Sequence, residues 1–304
     1  MMTERDLSPG DVFLYHGHNI LGWAIRLLDG TDVNHAAIYL GDGKVGEALG
    51  QGVVQTELAQ SVQGSVVRVF RHAPLPSDMK PVLGEAQAIL KDGHSYAYGE
   101  ILLLALLSIT RKLPLPHLMG GLLRGILDKA AAILMDITSQ GRKPMICSEF
   151  VYRCYDQALT SDPAPYKIKI GGTLKAVGSA PDSRIDPESL IARLSAAPSL
   201  DAVARAPVDT TPPSMENIEC DLKDFQKKVE SGQEKGLVAD TISALLLEEL
   251  RGHIINFVLK YLAALGKDAA SSRGIADFLH AQADFVTPGD LLKSPSLQEA
   301  GQIA

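Results

Sequence analysis

A thiol, an imidazole and a carboxylate in one place can break a carbonyl bond, with the thiolate as nucleophile, the imidazole as base and the carboxylate as its orienter. This chain has one arrangement of residues that fits that chemistry. In "MICSEFVYRCYDQAL" (145–159), Cys147 stands directly before Ser148 and Glu149, and apolar side chains recur at Phe150, Val151, Cys154, Tyr155 and Ala158. That spacing predicts one buried face of a helix, with Cys147 at or next to its start. Unpaired N–H groups and the positive end of the helix dipole favour an anion there, although a small buried hydrophobe is the commoner fate of a free cysteine. The base comes from "VNHAAIYLGDGKVGEAL" (33–49), where His35 opens a strand and Gly41-Asp42-Gly43 marks a tight turn. His35, Ala37 and Tyr39 share a face by alternation. A three-residue loop pairs Leu40 with Lys44 and Ala37 with Glu47, which puts Glu47 on the face of His35, one diagonal step away. A two-residue loop reverses that face. Imidazole suits the task because it titrates near neutral pH.

The elements that position these residues can be bounded from the rest of the chain. With 304 residues, 46% of them hydrophobic, it can bury one large core or two modest ones. A net charge of -7 and scattered basic residues argue against nucleic acid as a partner. Three cysteines cannot all pair, and Cys147 and Cys154 lie about 10 Å apart on a helix, too far for a disulfide, so a reducing compartment is expected. The eight histidines show no zinc spacing, and neither a metal nor a cofactor is expected. The start "MMTERDLSPGD" has no apolar stretch, and no run of 18 apolar residues occurs, so the expected location is cytoplasmic.

Short strand-like runs occupy 10–75: "DVFLY" (11–15), "HAAIYLG" (35–41), "KVGEAL" (44–49) and "SVVRVFR" (65–71). Residues 81–160 read as helix-rich, and "YKIKIGG" (166–172) as a further strand. A Pro-, Ala- and Thr-rich stretch at 198–216 reads as a linker between a first domain, 1–197, and a wholly helical module, 217–304. In the latter, Ile242, Leu246, Leu250, Ile254, Val258, Tyr261 and Leu265 form a stripe at helical spacing, offering a surface for a protein partner.

"SPGDVFLYHG", "NHAAIYLGDGKVGEALGQGVVQTEL", "VVRVFR" and "MICSEFVYRCY" together resemble the permuted papain-like amidases of the YiiX type, within the NlpC superfamily of thiol hydrolases. The resemblance covers roughly 8–165 and rests on the order His, Glu, Cys. Lecithin-retinol acyltransferase-like proteins share that order, but they carry a second histidine where this chain has Glu47 and Cys-Glu-His where it has Cys-Ser-Glu. The resemblance implies an α+β fold with a small antiparallel sheet packed on helices. It also implies Cys147 as nucleophile, His35 as base and Glu47 as orienter. The chemistry is then two-step acyl transfer on an amide or ester carbonyl, with the Cys147 N–H as one oxyanion donor and Tyr15, His16, His18 or Ser148 as candidates for a second oxyanion or substrate contact.

The substrate class turns on an apolar insert, 100–143, in which Arg111, Lys112, Arg124, Lys129, Arg142 and Lys143 stand against Glu100, Asp128 and Asp136. A basic apolar helix suits a membrane surface, with Leu118, Leu122, Leu123, Ile126 and Leu127 as its lipid-facing stripe; a buried bundle has the same composition. Three readings follow: a hydrolase or acyltransferase of lipid or N-acyl substrates, a peptidase of cell-wall peptides, and a non-catalytic binding module.

Overall fold

In a computed structural model, residues 1–50, 52–92, 95–96, 99–110, 120–158, 165–170, 214–231, 244–266 and 286–303 are described. The chain divides into two units: Met1–Glu100 with Met145–Ala180 and Gln282–Ala304, and Ile101–Pro144 with Pro181–Ala281.

The first unit is built on an antiparallel sheet of six strands: β1 (Val12–His16), β2 (His35–Gly41), β3 (Lys44–Leu49), β4 (Gly52–Glu57), β5 (Val66–His72) and β6 (Leu297–Ile303), in the order β4-β3-β2-β1-β5-β6. The expected strands at 11–15, 35–41, 44–49 and 65–71 are β1, β2, β3 and β5 to within a residue. β1 lies near the middle and is buried on both faces, with Val12, Phe13, Leu14 and Tyr15 each at most 3% exposed. Asp11, just before it, is buried as an ion and held by Arg71 through two bonds of 2.7 Å, the bidentate geometry that a buried carboxylate requires.

Helix α1 (Ile20–Asp29) follows β1, and its first turn is closed by Asn19, whose side chain accepts from the Gly22 N–H. After the one-turn helix α2 (Leu58–Ser61) and α3 (Lys80–Asp92), α6 (Cys147–Asp156) packs against β2 and β3. Gly46 permits that approach, since a Cβ there would sit 3.2 Å from the Phe150 ring.

The last strand corrects an expectation. Residues 286–303 are not part of a helical module: after the short helix α9 (Pro288–Leu292), β6 completes the sheet beside β5. Nothing local marks "LQEAGQI" as a strand; its pairing with β5, 225 or more residues earlier, decides it. Residues 166–170 depart in the other direction. Tyr166, Ile168 and Ile170 are buried in alternation as a strand would have them, but the backbone is bonded by serine side chains, Ser296 accepting from the Lys169 N–H and Ser294 donating to the Lys169 carbonyl.

Apart from a two-residue strand at Lys143–Pro144, the described elements of the second unit are helices: α4 (Gly99–Thr110, which begins two residues before the unit boundary), α5 (Gly120–Ser139), α7 (Met215–Glu230) and α8 (Ala244–Ala264). The insert thus shares a unit with the C-terminal helices instead of belonging to the sheet-bearing one. α5 and α8 pack together, and His253 on α8 meets Asp128 on α5 at 2.6 Å. The expected α8 stripe is buried at Leu250, Ile254, Val258 and Tyr261. Most of the linker at 198–216 lies outside the described residues; its end opens α7, capped by Ser214. Leu118 also lies outside them.

The lipid-facing stripe is corrected here. Leu122, Leu123, Ile126 and Leu127 are 8%, 1%, 1% and 1% exposed, facing the packed interior of the unit, and the run Ile101–Leu107 of α4 is buried on all sides. Among the described residues no helix is long and apolar enough to cross a membrane. Replacing Leu123 and Leu127 together with Asp should therefore lower the melting temperature drastically, since two carboxylates in a packed helix interface cost at least about 3 kcal/mol. A melting temperature unchanged by the pair would return these leucines to the surface.

Candidate active site

α6 begins at Cys147 because Ile146 is extended (φ -90°, ψ 159°) and its N–H is taken by the Glu149 carboxylate at 3.3 Å, itself held by Arg153 at 2.7 Å. Phe150, Val151, Cys154 and Tyr155 bury the face that the periodicity marks. Cys147 is itself 3% exposed, and as the first helical residue its N–H has no acceptor within the helix. Cys154, wholly buried two turns further along the helix, has its thiol pushed far up by burial, which disfavours a thiolate there.

The β2–β3 hairpin brings Glu47 to His35 by a route the parity argument did not contain. The turn has two residues, Asp42 (φ 49°) and Gly43 (φ 67°), both in the left-handed region that a type I′ turn demands. By itself that turn would send Glu47 to the other face. Gly41 pairs with Lys44, however, while Tyr39 pairs with Val45, so Leu40 is an extra residue on one strand. This bulge restores the pairing of Ala37 with Glu47. His35 Nε2 then lies 3.2 Å from Glu47 Oε2. An ionised carboxylate can only accept, so Nε2 carries the proton and Nδ1 is the nitrogen left for the thiol.

Cys147 completes the group: its thiol is within hydrogen-bonding reach of the His35 ring. Burial opposes charge on the imidazole, but the Cys147 thiolate and its hydrogen bond, followed by the bond and charge of Glu47, more than offset it and hold the imidazolium well above its ordinary value. Burial likewise opposes charge on Glu47. The His35 hydrogen bond and charge, then hydrogen bonds from Thr56 and Ser61, keep its carboxyl below the usual range.

The remaining candidates are placed differently. The Tyr15 ring stands edge-on to His35 with centroids 5.1 Å apart, but its hydroxyl is bonded to Ser61 at 2.6 Å, behind Glu47. Ser148 is wholly buried and donates to the Val286 carbonyl at 2.7 Å. Neither hydroxyl has a proton to spare for an oxyanion. His16 is tied through Nδ1 to the Asp32 carbonyl at 2.7 Å and stands edge-on to the exposed His18. Among the described residues no group of acidic, histidine and cysteine side chains could hold a metal ion.

Over 161 residues the chain is 27% identical to the "Probable lipoprotein peptidase YaeF" of Escherichia coli (strain K12). The match takes in 52% of this chain and 58% of that protein, little more than half of each. No family model matches.

Sequence reasoning missed Thr56 and Ser61. The signal for Thr56 was present, since β4 pairs Val45 with Thr56 and Val54 with Glu47, which sets Thr56 diagonal to Glu47 on one face. Ser61 is brought in by a one-turn helix that carries no pattern.

Proposed function

We propose that this protein is a cysteine hydrolase of the permuted papain-like, YiiX-like type, cleaving an amide or ester carbonyl through an acyl-thioester. The observation that carries the proposal is the convergence of Cys147, His35 and Glu47 from the start of α6 and from two strands. His35 Nδ1 takes the thiol proton, and the thiolate attacks the carbonyl carbon. The developing oxyanion is received by the Cys147 N–H, with His16 and His18 as the remaining candidates for the second donor. The imidazolium passes its proton to the departing amine or alkoxide, and water releases the acyl group by the same steps. Glu47 holds the ring in one tautomer and offsets its charge. An amide within a peptide is the favoured substrate. Its support is the peptidase name of the E. coli relative, together with the burial of the leucines that an interfacial lipase would expose.

Brief incubation with peptidoglycan fragments or with N-acyl and ester lipids, an acid quench and mass measurement of the Cys147 peptide tests this directly. An adduct in the parent and none in His35→Ala is expected, and its mass names the substrate class. Absence of any adduct, together with a Cys147 alkylated by iodoacetamide no faster than Cys220, would favour a non-catalytic module. The pH profile has a defined sign. Because the folded imidazolium lies above its ordinary value, activity should persist as pH rises past about 6.5 and fall only as the raised value is reached. Glu47→Gln should move that alkaline limb to lower pH.

A further inference from the structure

Glu47 does not stand alone behind His35. The Thr56 hydroxyl donates to its Oε1, the Ser61 hydroxyl is a second donor, and Tyr15 Oη lies 2.6 Å from Ser61 Oγ. These come from three separate elements, β4, α2 and β1. Their protons can be ordered in one way. An ionised carboxylate only accepts, so Thr56 and Ser61 both give their single hydroxyl proton to Glu47. Ser61 Oγ must then accept from Tyr15, whose phenol keeps its proton because burial, and then the Glu47 charge, oppose its ionisation. With His35 Nε2–H, Glu47 receives three hydrogen bonds, from a strand, a helix and the catalytic ring. The titratable groups set against His35 and Glu47 by the described residues are Cys147 on α6 and Tyr15 on β1.

We infer that Thr56, Ser61 and Tyr15 are positioning residues, a hydroxyl chain that holds the Glu47 carboxylate in the one orientation that receives His35 Nε2–H and so leaves Nδ1 facing Cys147. Without them a carboxylate 4% exposed would have one partner on one oxygen, free to turn from the ring or to take up a proton of its own. The inference rests on the catalytic reading above, and its test needs no substrate.

Nuclear magnetic resonance of the full chain, with 13C-labelled glutamate carboxyls and 15N-labelled histidine rings, reads both groups; Glu47→Gln assigns the Glu47 signal. In the parent, Glu47 should titrate below the usual carboxylate range, and His35 should read as an imidazolium at neutral pH and pass to the Nε2–H tautomer only as pH rises through its raised value. Ser61→Ala combined with the near-isosteric Thr56→Val removes two donors to the anion, so the Glu47 midpoint should rise by at least about one pH unit, with the His35 signal following the same inflection. Tyr15→Phe, which frees Ser61 to turn, should give a smaller rise, and Thr56→Ser should restore the parent value. If the double variant does not fold, Ser61→Ala and Tyr15→Phe singly decide the matter. A Glu47 midpoint unmoved in these variants, with His35 still coupled to Glu47, overturns the positioning role alone. A His35 ring that ignores Glu47→Gln in an otherwise parent protein overturns the catalytic reading on which it rests.

Discussion

Cys147→Ala and His35→Ala should each remove at least about a thousandfold of turnover, and the double variant should lose little more. The non-additivity is the sharper part. Attack needs the thiolate and the imidazolium together: without the ring the thiol has no base, and without the thiol the base has nothing to activate. If the two single losses instead multiplied, the residues would act on separate steps or only on stability. Glu47→Gln should retain measurable turnover, because the amide still bonds Nε2–H at the position Oε2 holds, 3.2 Å away in the parent, while no longer offsetting the imidazolium charge. Turnover of the candidate peptide and N-acyl substrates by the four proteins, each checked for an unchanged melting temperature, measures this.

Removing residues 286–304 should unfold the sheet-bearing unit or lower its melting temperature by tens of degrees, although the segment lies some 140 residues from Cys147 in sequence. It supplies β6, strips Val286, Leu291, Leu297 and Ile303 from the core, and takes the acceptor of the Ser148 hydroxyl. It also deprives the buried Asp29 carboxylate of the Thr287 hydroxyl at 2.9 Å and the Gly289 N–H at 2.8 Å. The point variant Asp29→Ala isolates the last of these. Two buried donors would lose their charged acceptor, at a cost of roughly 2–4 kcal/mol, read by thermal or urea melting. A truncated chain that melts normally and still shows fast Cys147 alkylation would mean that the segment is dispensable to the site.

Local pattern carried the start of α6 and the strands that flank His35, because each is written in consecutive residues. Helical spacing from Phe150 to Ala158 set where the helix begins and hence where Cys147 stands, and the alternation in "HAAIYLG" and "KVGEAL" set which side chains share a face. The pairing of Ala37 with Glu47 was reached through a three-residue loop, but the chain reaches it through a two-residue turn and a bulge at Leu40. Both solutions have the same parity at Glu47, and only the backbone dihedrals of Asp42 and Gly43 distinguish them.

The sequence by itself determined a thiol at a helix start and an imidazole at a strand start, since these depend on periods of 3.6 and 2 over about ten residues, and it left the face of Glu47 to the length of the turn. Tertiary structure alone decided the rest. Composition could not tell a buried bundle from a membrane-facing stripe, because the same leucines serve either, and only packing shows Leu123 and Leu127 to be interior. Thr56, Ser61 and Tyr15 meet behind Glu47 because three separate elements converge there. The final strand takes its conformation from the unpaired edge of β5, a free energy available only once the distant chain has folded beside it.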